Sequence, residues 1–127
     1  MKKKILIIDD EKEMVQLETL RLEAYGYDVA VAYDGEVGLA MARSQEPDLV
    51  ILDIMLPKIS GYELCRLLKK DPVCGRIPIV LVSAIDHKLD TDLGKKVGAD
   101  GFFTKPFDPA LLLAKIKELM KKSHQKL

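Results

Sequence analysis

Five short apolar runs alternate along the chain with segments whose apolar residues have helical spacing. Two of the runs, Leu49–Leu52 and Ile77–Val82, are apolar without interruption, which is typical of strands covered on both faces. Strands that alternate with helices form parallel sheets, because each connection must cross back over the sheet. The pattern therefore predicts one α/β domain, a five-stranded parallel sheet with helices on both faces. The strand order cannot be read from this pattern.

Helix caps and helix breakers set the predicted bounds. Gly26 and Gly98 end two helices, Pro72 breaks a third, and Asp108 caps the last, with Pro109 in its first turn. The predicted strands are Lys3–Ile8, Asp28–Tyr33, Leu49–Leu52, Ile77–Val82 and Gly101–Thr104. The predicted helices are Glu11–Tyr25, the segment between Asp34-Gly35 and Pro47, Gly61–Lys70, Ile85–Val97 and Asp108–Lys121. We expect a domain of residues 1–122 and a polar tail of residues 123–127.

Apolar residues three or four positions apart predict the buried face of each helix. In chain order, these faces are Met14, Leu17, Leu20 and Ala24; Val37, Ala40 and Met41; Leu64, Cys65 and Leu68; Ile85, Leu89, Leu93 and Val97; and Leu112, Ile116 and Leu119. The fourth helix is predicted to be the least stable. It contains a glycine, which costs about 1 kcal/mol relative to alanine in a helix.

Charge and composition give no support to several functional classes. Twenty basic and twenty acidic residues leave no net charge, so nothing favours direct binding to nucleic acid or to an anionic membrane. No apolar run approaches the roughly 20 residues of a membrane span. The two cysteines lack metal-ligand spacing and suit a reducing compartment. We therefore expect a cytoplasmic protein without membrane insertion.

Asp53 directly follows the third apolar run and stands where a strand gives way to a loop. The loop is predicted by Pro57, which keeps Leu56 out of the helical region, and the next helix begins at Gly61. Taken alone, one aspartate after a strand is an ordinary end to that strand.

Other polar residues follow the other strands: Asp9 and Asp10, Ser83, and Lys105. Taken singly, each could be a helix cap, a turn residue or a solvated lysine. In open parallel sheets, ligands bind outside the carboxyl ends of the strands, so we expect these side chains to meet there. Three carboxylates at one edge repel each other unless a cation or a lysine compensates them. Mg²⁺ prefers oxygen ligands of this kind, and Asp53 would then be the nucleophile for a phosphoryl group.

The motifs Asp9-Asp10, Asp53 with Met55-Leu56-Pro57 and Gly61, Ser83-Ala84, and Phe102 with Lys105-Pro106-Phe107 resemble the receiver domain of two-component response regulators. The resemblance extends from Lys3 to Met120. It implies a flavodoxin-like, doubly wound (βα)5 fold with strand order 2-1-3-4-5. It also implies that Asp53 is the phosphoacceptor of a sensor histidine kinase or a phosphotransfer protein.

The resemblance implies a metal site. Asp10 would bind Mg²⁺, or Mn²⁺ in its place, directly, and Asp9 would bind it through water. Asp53 and the backbone carbonyl of Met55 would complete the protein ligands. Pro57 and Gly61 would shape the loop that carries this carbonyl.

The resemblance also implies how phosphorylation is sensed. Ser83, the backbone N–H of Ala84 and Lys105 would hold the phosphoryl oxygens, with a cis peptide bond between Lys105 and the structural Pro106. Phe102 would turn inward as Ser83 moves. Adjacent strand residues face opposite sides, so Phe103 would be the core residue of the pair.

The implied output is partner binding, so the protein is expected to be a signalling phosphoacceptor and not an enzyme. The change would reach the face formed by the fourth helix, the fifth strand and the fifth helix, where a downstream protein binds. The poor helix propensity of the fourth helix makes it the element expected to shift. Gly101 stands where the family often has a second acid, and the last helix lacks arginine. We therefore expect a monomer or a weak phosphorylation-dependent dimer.

Met55 and Ile85 lie two residues beyond Asp53 and Ser83, where water must approach an acyl phosphate. Both are bulky and apolar, so we expect a long-lived phosphoryl state.

Three interpretations remain open at this point, and a fourth, a flavodoxin, is disfavoured. The favoured version is a stand-alone regulator, and the alternative is the N-terminal receiver of a longer regulator with an effector domain. A remote alternative is an aspartyl-phosphate phosphatase of the haloacid dehalogenase type, which needs a D-x-D pattern where this chain has Asp9-Asp10-Glu11. A flavodoxin would need a phosphate loop after the first strand, where the two acids would repel a phosphate.

Overall fold

The computed structural model describes residues 2–84 and 88–125 and confirms the predicted α/β architecture. The strands are β1 (Lys4–Ile8), β2 (Asp28–Ala32), β3 (Leu49–Asp53), β4 (Ile79–Ser83) and β5 (Gly101–Thr104). The helices are α1 (Lys12–Ala24), α2 (Gly35–Gln45), α3 (Gly61–Lys70), α4 (Lys88–Lys96) and α5 (Pro109–Gln125). All strand pairs are parallel, and the order β2-β1-β3-β4-β5 is the one that the family resemblance implies.

Most bounds agree with the prediction, and α3 and β5 match it at both ends. The largest difference at the end of an element is in α5, which continues to Gln125 instead of ending near Lys121. The predicted start of α4, Ile85, lies outside the described residues. The carboxylate of Asp108 accepts a hydrogen bond from the backbone N–H of Ala110, which confirms Asp108 as the cap of α5.

The central strands are buried on both faces, as their uninterrupted apolar runs predict. Leu6 and Ile8 of β1 face α2 and α3, whereas Ile5 and Ile7 face α1 and α5. The same alternation in β3 and β4 divides the core into two layers. The predicted faces of α3 and α5 are confirmed, since these residues are buried: Leu64, Cys65, Leu68, Leu112, Ile116 and Leu119.

The predicted buried face of α1 is wrong. Leu17 and Leu20 are exposed, the latter by 66%, and Ala24 is exposed as well. The helix buries Val15, Glu18 and Leu22 instead. Glu18 interrupts the apolar pattern of the face that is buried. The predicted face, which contains Leu17 and Leu20, therefore looked more amphipathic in the sequence.

The predicted face of α2 is wrong at Val37 and Ala40, which are exposed, whereas Met41 is partly buried and packs against the core. Gly35, Gly38 and Ala42 are buried in their place. A Cβ at Gly38 would lie 2.6 Å from Cδ1 of Ile8, so only a residue without a side chain lets α2 approach β1 this closely. Small residues therefore mark this interface, and a search for large apolar residues misses them.

The predicted stripe on α4 is contradicted at Leu93, which is exposed, while the neighbouring Gly94 is buried. A Cβ at Gly94 would lie 3.2 Å from Leu81 and 3.3 Å from the ring of Phe102. Close packing against β4 and β5 explains the glycine that made this helix look weak. Among the described helices, none is both long and apolar enough to cross a bilayer.

Candidate phosphorylation site

The sheet register brings the predicted polar residues to one edge. Ile8 is paired with Leu52, Asp53 with Val82, and Ser83 with Thr104. The residues that follow these pairs therefore lie close to one another at the carboxyl-terminal edge of the sheet. Topology alone thus gathers side chains that are far apart in the chain.

Asp9, Asp10 and Asp53 form an acid cluster, with one carboxylate oxygen from each lying within 4.8 Å of the others. Asp9 and Asp53 are buried, whereas Asp10 is exposed. The cluster offers only oxygen ligands, and a hard divalent cation such as Mg²⁺ prefers oxygen. Buried carboxylates repel each other when no cation compensates them. The residues present therefore fit the predicted metal site.

Lys105 reaches the same pocket from the loop after β5, and its side chain is only 8% exposed. Its Nζ lies 3.0 Å from Oδ2 of Asp9 and 3.4 Å from Oδ2 of Asp53. Burial lowers the pKa of Lys105, but hydrogen bonds to Glu11 and Asp9, together with the negative charges of Asp9 and Asp53, outweigh burial, so the pKa is raised overall. The lysine thus stays charged and offsets part of the repulsion between the acids.

The backbone at Lys105 contacts the end of β4. The peptide bond between Lys105 and Pro106 is cis, as the resemblance implies. The backbone N–H of Lys105 donates to the carbonyl oxygen of Ser83 over 2.6 Å. This bond ties the loop after β5 to the end of β4.

Asp53 has two different carboxylate oxygens. Oδ1 accepts a hydrogen bond from the backbone N–H of Met55 over 3.0 Å, and Oδ2 faces Lys105. Burial raises the pKa of Asp53 from 3.8 to about 6, with the charge of Asp9 adding to the rise and the Met55 N–H and Lys105 opposing it. At neutral pH, Asp53 is therefore mostly ionised, and its Oδ2 is turned toward the ammonium of Lys105.

Gly61 packs against the backbone at the start of the loop after Asp53. A Cβ at this position would meet the carbonyl oxygen of Asp53 and would lie 2.6 Å from Cα of Ile54. The backbone N–H of Gly61 donates to the carbonyl of Ile54, which closes the loop over the exposed Pro57. A side chain at position 61 would therefore overlap the backbone at the end of β3.

Ser83 is fully buried at the end of β4, and the next residue, Ala84, is exposed beside the pocket. Phe102 packs on the α2 and α3 side of the sheet. Phe103 packs on the α1 and α5 side, where its ring meets Phe107 edge to face at a centroid distance of 6.0 Å. The two phenylalanines therefore face opposite sides, as predicted. Both are partly buried, so Phe103 is a core residue only in part.

The sequence prediction missed two acids near the pocket. Glu11 lies 2.9 Å from Nζ of Lys105, closer than either aspartate. Its position directly after Asp9-Asp10 was the available signal. Glu18 is buried on α1, and burial raises its pKa from 4.5 to about 7, with the charge of Asp9 adding to this rise. No sequence signal separates such a glutamate from an exposed one.

Comparisons with known proteins agree with this geometry. The response regulator receiver domain family matches residues 5–117. The chain is 43% identical over 123 residues to PhoP, the alkaline phosphatase synthesis transcriptional regulatory protein of Bacillus subtilis, with 97% of this chain and 50% of PhoP covered. It is 40% identical to the DNA-binding dual master transcriptional regulator RpaA of Synechocystis, covering 94% of this chain and 50% of RpaA. The chain thus spans about half the length of these two relatives.

A solved CheY-like response regulator receiver domain protein from Methanospirillum hungatei has a similar fold. The two structures superpose with a TM-score of 0.93 at 29% sequence identity, and each chain is covered completely. The similarity therefore extends over the whole α/β domain.

Proposed function

Since the chain belongs to the receiver domain family of two-component response regulators, we propose that Asp53 accepts a phosphoryl group from a sensor histidine kinase or a phosphotransfer protein. The observation that carries this proposal is the pocket itself. A buried carboxylate, two further acids and a buried lysine meet at one edge of the sheet. This arrangement suits phosphoryl transfer, because the reaction needs a nucleophile and charge neutralisation at one point.

In the proposed reaction, Oδ2 of the Asp53 carboxylate attacks the phosphorus atom of a phosphohistidine. An O–P bond forms while the N–P bond breaks, and the imidazole nitrogen keeps the electron pair of that bond. The product is an aspartyl phosphate. Oδ2 is the better placed oxygen, because Oδ1 is held by the Met55 N–H.

Lys105 would stabilise the charge on the transferred phosphoryl group, because its ammonium already lies 3.4 Å from Oδ2 of Asp53. The Ser83 hydroxyl and the Ala84 N–H would donate to the other phosphoryl oxygens. Asp9, Asp10, Asp53 and the Met55 carbonyl would hold Mg²⁺, or Mn²⁺ in its place, which supplies further charge neutralisation. We propose that the protein is a cytoplasmic signalling protein without an enzymatic activity on other substrates.

The proposed output passes from Ser83 through Phe102 to the face formed by α4, β5 and α5. Phe102 packs close to Gly94 of α4, so a movement of its ring would press on that helix. The ring has no hydroxyl, so this coupling would work by packing alone. A downstream protein would bind this face, and the chain itself would be a monomer or a weak phosphorylation-dependent dimer.

The proposed phosphorylation is tested by intact mass measurement after incubation with phosphoramidate and Mg²⁺. We expect a gain of one phosphoryl group in the wild type and none in Asp53→Asn. The matched control Asp28→Asn changes an exposed aspartate of β2 and should gain the group as the wild type does. A wild type that gains no mass, or an Asp53→Asn variant that does, would overturn the proposal.

The proposed output is tested by amide hydrogen exchange with and without phosphorylation. We expect α4 to exchange faster than α3 and to change when Asp53 is phosphorylated. Equal protection of α4 and α3 in both states would contradict the role of α4.

A further inference from the structure

Glu11 directly precedes α1, but its side chain does not cap the helix. Glutamate is unusual at this position, where short side chains accept hydrogen bonds from the first turn. No such bond forms from Glu11, and its own backbone N–H donates to Oδ1 of Asp9 over 2.9 Å. The side chain is therefore free to point elsewhere, and it points at Lys105.

Lys105 has three carboxylate partners, at 2.9 Å for Glu11, 3.0 Å for Asp9 and 3.4 Å for Asp53. Two of them, Asp9 and Asp53, belong to the acid cluster that fits a divalent cation. Glu11 stands outside that cluster. A cation and a phosphoryl group would therefore engage Asp9 and Asp53 and leave Glu11 as the remaining partner of the lysine.

We infer that Glu11 is a positioning residue that holds Lys105 in the unphosphorylated pocket and competes with the incoming phosphoryl group for its ammonium. This inference rests on the proposed function. To stabilise the phosphoryl group, the ammonium of Lys105 must either leave Glu11 or divide its hydrogen bonds between Glu11 and the phosphoryl oxygens. Loss of Glu11 removes a contact of the starting state that the transition state does not keep, so phosphorylation becomes faster.

The expected size of the effect follows from exposure. The Glu11 side chain is 54% exposed, and ion pairs of this kind contribute little because water and salt screen them. We expect Glu11→Ala to raise the maximal rate of phosphorylation about two- to fivefold. A larger effect would need a buried pair.

The experiment measures single-turnover phosphorylation by phosphoramidate at saturating Mg²⁺ and separates the maximal rate from the half-saturating donor concentration. Glu13→Ala is the matched control, because Glu13 is an exposed acid in the first turn of the same helix. Glu11→Ala should raise the maximal rate, and Glu13→Ala should not. A change confined to the half-saturating concentration in both variants would show a general charge effect on the donor and overturn the inference.

Glu11→Asp separates contact from charge, because it keeps the charge and shortens the side chain by one methylene. We expect it to raise the maximal rate as Glu11→Ala does. If Glu11→Asp instead kept the wild-type rate while Glu11→Ala did not, charge alone would explain the effect and the contact would have no role.

A double-mutant cycle with Lys105→Met tests whether Glu11 acts through the lysine. The rate gain from Glu11→Ala should disappear in the Lys105→Met background. An undiminished gain would overturn the inference. All these outcomes presuppose phosphorylation of the wild type, so a wild type that takes up no phosphoryl group refutes the proposed function and is distinct from a failure of the Glu11 contact.

Discussion

Glu18 predicts an unusual dependence of stability on pH. It is 5% exposed on the inner face of α1, and burial raises its pKa from 4.5 to about 7, with Asp9 raising it further and Lys105 lowering it. The folded protein therefore keeps the proton of Glu18 up to about pH 7, whereas the unfolded chain releases it near pH 4.5. Between these values the unfolded state binds fewer protons, so the free energy of unfolding falls as pH rises.

The magnitude follows from the two pKa values. A rise from 4.5 to about 7 corresponds to about 3 kcal/mol of unfolding free energy, at about 1.4 kcal/mol for each pH unit. Glu18→Gln keeps the shape of the side chain and cannot titrate. The variant should therefore gain about 2 to 3 kcal/mol relative to the wild type between pH 5 and pH 8.

Urea unfolding at several pH values, with EDTA to remove divalent cations, measures this difference. The slopes against urea should agree between the two proteins, so that the comparison reports stability alone. Glu23→Gln is the matched control, because Glu23 is an exposed acid on the same helix. The reasoning is refuted if the difference between Glu18→Gln and wild type is the same at pH 5 and at pH 8.

Three further predictions concern residues that follow β3 and β4. Gly61→Ala should lower the free energy of unfolding by about 2 to 3 kcal/mol, because the new Cβ would overlap backbone atoms of Asp53 and Ile54; an unchanged urea midpoint would contradict this. Lys58 has φ of 70°, so Lys58→Gly should raise the unfolding free energy by about 0.5 to 1 kcal/mol by relieving left-handed strain, and a comparable gain from Lys58→Ala would show that strain is not the cause. Met55 is 56% exposed, and Met55→Asn combined with Ile85→Glu should shorten the half-life of the phosphoryl group. Mass measurement over time gives this half-life, and an equal half-life in the wild type and the variant would contradict a long-lived phosphoryl state.

The candidate site was predictable because it follows from where the strands end. Asp9, Asp53, Ser83 and Lys105 each come at or directly after the end of an apolar run, and a parallel sheet places such ends along one edge. The contact between Glu11 and Lys105 was not predictable in this way. The two residues are 94 positions apart, and their contact depends on side-chain directions at that edge.

By itself, the sequence determined the alternation of strands and helices, the doubly buried central strands and the edge at which the acids and the lysine collect. These features depend on local periodicity and on the geometry of parallel sheets. Only the tertiary structure decided which faces of α1 and α2 are buried, because that choice depends on the space left between packed elements. The close approach of Gly38 to Ile8 and the burial of Glu18 are of this kind, since both arise from neighbours that are distant in the chain.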